Sequence, residues 1–193
     1  MRVYLAGPDV FLPDRLQRGA ALKAVCARHG LTGVFPLDPL ADEPAAWARL
    51  AEWRRIALRN EAHIRSADAL IANLTPFRGP SADVGTVFEL GFMRALGRPV
   101  CGWSTTAVPF TARTRALLGA AAVCDAEGVW RDADGMALEA FGCFDNLMID
   151  GAVAAAGGTL EAAELPPARR WSDLAPFERC VRRLAQQMQP RSG

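Results

Sequence analysis

The fold of this chain is constrained most by a regular alternation of short apolar runs with longer segments of helical periodicity. Residues 3–6, 31–35, 68–74 and 99–103 form largely apolar runs and are predicted strands. Residues 13–29, 45–65 and 84–96 lie between them and are predicted helices. Apolar strands connected by helices are typical of a parallel sheet covered on both faces. We therefore predict an α/β fold, a single-domain, doubly wound parallel sheet of the flavodoxin- or Rossmann-like kind with helices on both faces.

The part of the chain after residue 104 has a less regular pattern. A short helix is predicted at residues 111–118 within a peripheral excursion, and residues 136–149 are predicted to be partly helical. Residues 157–168 are rich in Ala, Gly and Pro and are predicted to form a flexible connection. A closing helix is predicted at about residues 172–187, with Ser172 as its N-cap. All 193 residues are predicted to form one domain.

Composition excludes several classes of function. Of the 193 residues 51% are hydrophobic, and the formal net charge is +1, which does not suit a protein that binds nucleic acid by neutralising phosphates. Every apolar run falls short of the ~20 residues of a membrane span, and the first residues lack the apolar core of a signal peptide. We therefore expect a soluble, cytoplasmic protein with no nucleic-acid or membrane partner.

Cysteine and histidine are placed unfavourably for metal binding or nucleophilic catalysis. The five cysteines are widely spaced and form no Cys-x-x-Cys pair, so a zinc site is not expected. The two histidines, His29 and His63, lie in helical stretches rich in Arg and Ala and are expected to be solvated. Acid–base and nucleophilic chemistry therefore falls to carboxylates, and we expect neither a metal nor an organic cofactor.

The predicted helix at residues 84–96 carries two carboxylates of interest. Glu89 lies among apolar residues, and Gly85, one turn earlier, leaves the approach to it open for a small molecule. A carboxylate in such surroundings needs specific donors or a narrow route to solvent, and we favour a functional role over a surface salt bridge. Asp83 lies where the helix begins, and taken alone it is best explained as an N-cap.

Tyr4 is the only tyrosine of the chain and lies in the first predicted strand. Doubly wound topology usually places that strand near the centre of the sheet, where a buried phenol needs a hydrogen-bond partner. A carboxylate across the cleft or a backbone carbonyl would each serve, and the residue pattern leaves both open.

Several motifs follow one another along residues 2–151. They are Val3-Tyr-Leu-Ala-Gly-Pro-Asp-Val-Phe11, Asn60, the run from Ala69 to Gly79, Asp83-Val-Gly-Thr-Val-Phe-Glu89, and Asn146-Leu-Met148. In their order and spacing they resemble the nucleoside 2-deoxyribosyltransferase family. The chain departs from the family in two places. Phe141-Gly-Cys-Phe-Asp145 stands where members often have Phe-Gly-Leu-Pro before the Asn-Leu-Met, and residues 104–135 match no motif of the family.

The resemblance implies a transferase, a pentosyltransferase that moves the 2-deoxyribosyl group of a 2′-deoxynucleoside to another nucleobase in nucleotide salvage. Glu89 would be the nucleophile and form a covalent deoxyribosyl-enzyme, and a second base would then restore the linkage with retention. Tyr4 would orient Glu89. The remaining residues implied to bind substrate are Asp83 and Asn146 at the 5′-hydroxyl, Asn60 near the base, Gly7, Asp9 and Phe11 lining the base pocket, and Met148.

The resemblance also implies partners and leaves alternatives open. The partners are a deoxynucleoside donor and a free nucleobase acceptor, in a homodimer or higher homo-oligomer whose neighbouring subunit contributes Asn146. Asp83 would repel a phosphate at contact distance, which favours nucleosides over nucleotides. The first alternative is an N-glycoside hydrolase of nucleosides or nucleoside 5′-monophosphates that uses the same Glu89, and the second is a non-catalytic nucleoside-binding module. Purine or pyrimidine preference stays open.

Overall fold

A computed structural model describes residues 1–187 of the chain. Over this range seven strands occur, β1 Arg2–Ala6, β2 Thr32–Val34, β3 Ala69–Asn73, β4 Val100–Ser104, β5 Val123–Cys124, β6 Trp130–Arg131 and β7 Leu160–Ala162. The α-helices over the same range are α1 Arg15–Arg28, α2 Glu52–Ser66, α3 Val84–Ala95, α4 Phe110–Leu118, α5 Leu147–Ala155 and α6 Ala175–Gln187.

Five of the strands form one parallel sheet in the order β2-β1-β3-β4-β7. The strands β5 and β6 form a separate antiparallel hairpin within the excursion predicted after residue 104. The strand order reverses between β1 and β3, as in doubly wound sheets of the flavodoxin type. The predicted α/β fold is therefore confirmed, and the four predicted sheet strands agree with the observed ones to within two residues.

Two apolar layers enclose the sheet, and the alternation of side chains along each strand separates them. On one face Val3 and Leu5 of β1 pack in a cluster that includes residues of α1 and α6. On the other face Tyr4 and Ala6 pack with residues of α2, α3 and α5. Helices therefore cover both faces, and β1 is buried on both sides from its second residue onward.

Several predicted boundaries were wrong. The segment at residues 157–168 contains strand β7, whose central residue Glu161 is charged but pairs with Arg179 and Arg183 of α6, so the usual apolar signal is missing. The closing helix begins at Ala175 and not after Ser172, because Asp173 accepts the Ala175 N–H.

Two further helices differ from their predicted extents. Residues 45–65 do not form one helix, because residues 50 and 51 adopt extended backbone between a 3₁₀ turn, Ala45–Arg49, and α2. Residues 136–146 are not helical, and the helix there starts after Asn146, which caps it by accepting the Met148 N–H.

The expectation that both histidines are solvated was wrong for His63. Its side chain is buried, and Nε2 lies 2.9 Å from the Asp38 carbonyl oxygen. Burial lowers the pKa of His63, so the imidazole is neutral at physiological pH and serves as a packed hydrogen-bonding group.

Candidate active site

The candidate site lies at the carboxyl ends of β1 and β3, where the strand order reverses. Doubly wound sheets bind ligands at this position. The chain turns away from β1 at Gly7, which approaches β3 closely: a Cβ there would lie 2.7 Å from Cβ of Asn73 and 2.6 Å from Oδ2 of Asp9. Only a glycine allows the loop after β1 to pack this tightly against the end of β3.

Glu89, Tyr4 and Asn60 meet below this edge of the sheet. The Tyr4 hydroxyl donates to Oε1 of Glu89 at 2.7 Å, and Asn60 Nδ2 of α2 donates to the same oxygen at 3.3 Å. Of the hydrogen bonds described for residues 1–187, none reaches the other oxygen, Oε2. The two donors therefore fix one oxygen of the carboxylate and leave the second free for a reacting atom. Of the two partners left open for Tyr4, the structure has the carboxylate.

Burial dominates the electrostatics of this pair. Glu89 is 9% exposed, and desolvation raises its pKa from the ordinary 4.5 to about 7. The hydrogen bonds from Tyr4 and Asn60 oppose this shift, while the negative charge of Asp83 adds to it. Burial and the neighbouring carboxylate also raise the pKa of Tyr4 well above its usual value. The phenol therefore stays protonated and acts as a donor.

Asp83 caps α3, as its position in the sequence predicted. Its Oδ2 accepts the Thr86 N–H at 2.9 Å and the Thr86 hydroxyl at 3.0 Å. Among the hydrogen bonds of residues 1–187, none occupies Oδ1 of Asp83. The capping role and a substrate-binding role are thus compatible, because they use different oxygens.

Asp9 does not present a free carboxylate to the cleft, contrary to the expectation that it lines the base pocket. It is 2% exposed, with Oδ1 at 2.7 Å from Arg18 Nε and Oδ2 at 2.8 Å from Asn73 Nδ2. Arg18 is buried as well and lies over the ring of Trp103. Asp9 therefore holds the loop after β1 against α1 and β3, and it is unavailable to contact a base directly.

Phe11 lies in the 3₁₀ turn after β1 and exposes much of its ring. The ring stacks on Phe77, with centroids 5.3 Å apart and planes 10° from parallel, and the guanidinium of Arg78 lies over both rings. Arg78 has a positive φ of 55°, which is uncommon for a residue other than glycine. Phe11 is thus part of an aromatic surface at the rim, in a position compatible with contact to a base.

Asn146 is the N-cap of α5, and Met148 lies in its first turn. The Asn146 side chain caps α5 and donates to Glu139 at 2.5 Å, and no hydrogen bond described for residues 1–187 joins it to Tyr4, Asn60 or Glu89. Both residues line an apolar groove of about 810 Å³ between α3 and α5. The structure of one chain therefore brings Tyr4, Asn60 and Glu89 into one hydrogen-bonded cluster, whereas Asn146 and Met148 line the groove that begins beside Asp83.

Within residues 1–187, no group of three or more His, Cys, Asp or Glu side chains is arranged to hold a metal ion. In the same part of the chain, no helix has both the length and the apolar composition needed to cross a lipid bilayer.

The fold and the carboxylates define an α/β protein with a candidate small-molecule site at the switch point of its sheet. Residues 3–148 match the family model described as nucleoside 2-deoxyribosyltransferase. The chain therefore belongs to the nucleoside 2-deoxyribosyltransferase family.

The chain is also similar to individual proteins, of which the first is an enzyme of this family, the second shares the fold and the third is uncharacterised. A 2-deoxyribosyltransferase from Leishmania mexicana is 30% identical with a TM-score of 0.56, over 77% of this chain and 84% of that one. A conserved protein from Enterococcus faecalis V583 is 20% identical with a TM-score of 0.55, over 95% of this chain and 98% of that one. An uncharacterised protein of Schizosaccharomyces pombe is 32% identical over 167 residues, which are 81% of this chain and 78% of that protein.

Sequence reasoning missed the supporting residues of the site. Arg18, Asn73 and Phe77 had no assigned task, although each contacts a predicted site residue. The polar Asn73 at the end of an otherwise apolar strand was the one available signal, since a buried amide needs partners.

Proposed function

We propose that this protein transfers the 2-deoxyribosyl group of a 2′-deoxynucleoside to a second nucleobase. The observation that carries the proposal is the buried Glu89 carboxylate, with Tyr4 and Asn60 donating to Oε1 while Oε2 is left free. This arrangement suits a glycosyl-transferring nucleophile, because the donors orient one oxygen and leave the other able to reach the anomeric carbon.

The reaction proceeds in two displacements at C1′. Oε2 of ionised Glu89 attacks C1′, the bond from C1′ to the base nitrogen breaks, and the base leaves with the bonding electrons and takes up a proton. A nitrogen of the second base then attacks C1′ from the vacated face, releases the Glu89 carboxylate and loses its own proton. Two inversions give overall retention. The raised pKa of Glu89, about 7, makes the carboxylate more basic and thus a stronger nucleophile once it is ionised.

Asp83 supports a nucleoside as donor and not a nucleotide. Its unoccupied Oδ1 would accept a hydrogen bond from a 5′-hydroxyl, whereas a 5′-phosphate at contact distance would meet like charge and cost on the order of several kcal/mol. Deoxyadenosine is therefore expected to react faster than its 5′-monophosphate, and the opposite order would contradict this assignment.

A second copy of the chain would complete the site. Asn146 and Met148 lie in the apolar groove between α3 and α5, where Val84 is 85% and Met148 71% exposed. Apolar side chains exposed in this way, next to the start of α3, are typical of a surface that another protein covers. We propose that the groove binds a second subunit and that Asn146 of each subunit reaches the 5′-hydroxyl in the other.

The main test mixes deoxyadenosine or thymidine with a panel of other free bases and looks for the exchanged nucleoside by chromatography. Exchange is expected with wild type and not with Glu89→Ala, whose fold is checked by circular dichroism. Free base and free deoxyribose without any exchanged nucleoside would identify the hydrolase instead. Binding without turnover, little affected by Glu89→Gln, would identify a binding module.

Mixing two inactive variants tests the shared site. In a hybrid dimer of Glu89→Gln and Asn146→Ala subunits, one of the two sites combines an intact Glu89 with an intact Asn146. Activity is expected to appear on mixing, and light scattering should give at least a dimer. A monomer in solution, or a mixture as inactive as its parts, would rule out the contribution of Asn146 from a neighbour.

A further inference from the structure

Asp145 is a fully buried carboxylate, 0% exposed, to which the proposed reaction gives no task. Its Oδ1 accepts hydrogen bonds from the Ser81 hydroxyl at 2.5 Å and from the Asn146 N–H at 2.8 Å. Its Oδ2 accepts from the Ala82 N–H and from Arg113 Nη2, both at 3.0 Å. One cation and three neutral donors therefore compensate the burial of this charge, as a stable buried carboxylate requires.

Arg113, the cation of this pair, joins three segments of the chain. It belongs to α4, and its side chain is 9% exposed. Nε donates to the Pro80 carbonyl at 2.7 Å and Nη1 to the Val108 carbonyl at 2.5 Å, while Nη2 binds Asp145. The guanidinium also lies 5.0 Å from the centroid of Phe144. The ion pair thus ties the excursion after β4 to the loop that precedes α3.

The Arg113–Asp145 ion pair lies beside both residues assigned to the 5′-hydroxyl, Asp83 and Asn146. Asp145 and Arg113 bind Pro80, Ser81 and Ala82, and the next residue is Asp83. On the other side Asp145 is followed directly by Asn146, whose N–H it accepts. Backbone held on both sides by short charged hydrogen bonds has little freedom to shift, since such bonds are stronger than neutral ones.

Packing alone does not account for the charge. Replacing a buried ion pair by apolar residues of similar volume is often neutral or stabilising, so filling this volume does not require an ion pair. Hydrogen bonds to named backbone groups, by contrast, fix a conformation that apolar packing leaves less defined. The position that this pair fixes is the stretch of chain next to Asp83 and Asn146.

We propose that Asp145 and Arg113 are positioning residues that set Asp83 and Asn146 for recognition of the 5′-hydroxyl of the sugar. The inference rests on the proposed function, and it goes further in one respect. Asp83 serves its own subunit and Asn146 serves the neighbour, so the ion pair links the geometry of one site to that of the next.

The test compares two donors, 2′-deoxyadenosine and 2′,5′-dideoxyadenosine, which differ only in the 5′-hydroxyl. Wild type should prefer the first by roughly 10- to 150-fold in kcat/KM, the range for a hydrogen bond to a charged group. Asp145→Asn removes the charge that holds Arg113 and should shrink this preference by about threefold or more, because kcat/KM falls for the hydroxylated donor and much less for the other.

Two further variants make the outcome decisive. Ser81→Ala keeps the ion pair and loses one link to the loop, so it should reduce the preference in the same direction by a smaller factor, and it decides the case if Asp145→Asn does not fold. Glu161→Gln is the matched control. Glu161 is a buried carboxylate of β7 that pairs with Arg179 and Arg183 of α6, and none of the hydrogen bonds or ion pairs described for residues 1–187 joins it to residues 80–83. It should leave the preference unchanged.

The possible results separate the proposals. A preference that shrinks in Asp145→Asn and Ser81→Ala but not in Glu161→Gln supports the inference. Equal losses on both donors in Asp145→Asn, or an unchanged preference, overturn it while the transferase proposal stands. Wild type that reacts equally with both donors overturns the 5′-hydroxyl assignment and this inference together. Absence of any exchange by wild type overturns the proposed function and the inference with it.

Discussion

The buried carboxylate at the centre of the site should destabilise the folded protein, and Glu89→Gln should reveal this. Glutamine has the same shape, and its carbonyl oxygen can still accept the hydrogen bond from Tyr4. The substitution removes the charge that Glu89 acquires on ionisation and puts an NH2 group in place of Oε2, to which no hydrogen bond described for residues 1–187 runs. We therefore expect the variant to lose all transfer activity and to gain stability at alkaline pH.

The size of the gain follows from the raised pKa. Between pH 4.5 and 7 the folded state keeps a proton on Glu89 that the unfolded chain has released, so the stability of wild type falls as pH rises through this window. With a pKa raised from 4.5 to about 7, the full loss is about 3 kcal/mol at 1.36 kcal/mol per pKa unit. This loss of stability is complete above pH 7 in wild type and does not occur in Glu89→Gln.

Urea unfolding followed by tryptophan fluorescence at pH 5 and pH 8 provides the measurement. The free energy of unfolding of Glu89→Gln minus that of wild type should grow by about 2–3 kcal/mol from pH 5 to pH 8. This growth corresponds to a rise of roughly 5–10 °C in the melting temperature of the variant relative to that of wild type. Glu161→Gln, which removes a carboxylate paired with two arginines, should instead be destabilised at both pH values. A difference that grows by less than about 1 kcal/mol would refute the raised pKa.

Three other perturbations test the surroundings of the carboxylate. Tyr4→Phe removes a hydrogen bond that lowers the pKa of Glu89. The acid limb of the pH profile of kcat/KM, near pH 7 in wild type, should therefore move up by about one pH unit or more. An unchanged acid limb would mean that Tyr4 contributes packing alone. Arg18→Met leaves the Asp9 carboxylate buried without its cation and should lower the free energy of unfolding by about 3–5 kcal/mol. Calorimetry should show a melting temperature roughly 6–20 °C lower, and a drop of less than about 3 °C would contradict a stabilising ion pair. Gly7→Ala places a Cβ 2.6–2.7 Å from neighbouring atoms and should reduce exchange about 10-fold or more by displacing the loop, whereas wild-type kinetics would show that the loop has room.

The apolar pattern of the sequence was sufficient to predict most of the fold. Fully buried parallel strands must be continuously apolar, so four of the five strands in the sheet were recognisable. The fifth, β7, was missed because Glu161 interrupts it, and only the arginines of α6 make that charge tolerable. The closing helix was placed three residues early because Ser172 was taken as its cap, whereas it is the Asp173 carboxylate that accepts the N–H of Ala175, where the helix begins.

In the candidate site, too, the sequence was sufficient for roles that depend on neighbouring residues and not for those that depend on tertiary contacts. The sequence identified Glu89 as a carboxylate in apolar surroundings and Asp83 as a helix cap, since both arguments need only neighbours along the chain. Asp9, equally polar and equally close to the predicted cleft, was assigned to the base pocket and instead pairs with Arg18. The two residues are nine apart, and no local rule says which way the loop between them turns.

By itself, then, the sequence determined which segments are buried and which carboxylate has surroundings unusual enough to be chemical. Only the tertiary structure showed that Asp9 meets Arg18 and that Asp145 meets Arg113, and it confirmed the pairing of Tyr4 with Glu89 that the family resemblance had implied. Burial follows from patterns with a period of a few residues, whereas these pairs join positions 9 to 85 residues apart. Such contacts depend on how the helices pack on the sheet, and that packing is a property of the whole chain.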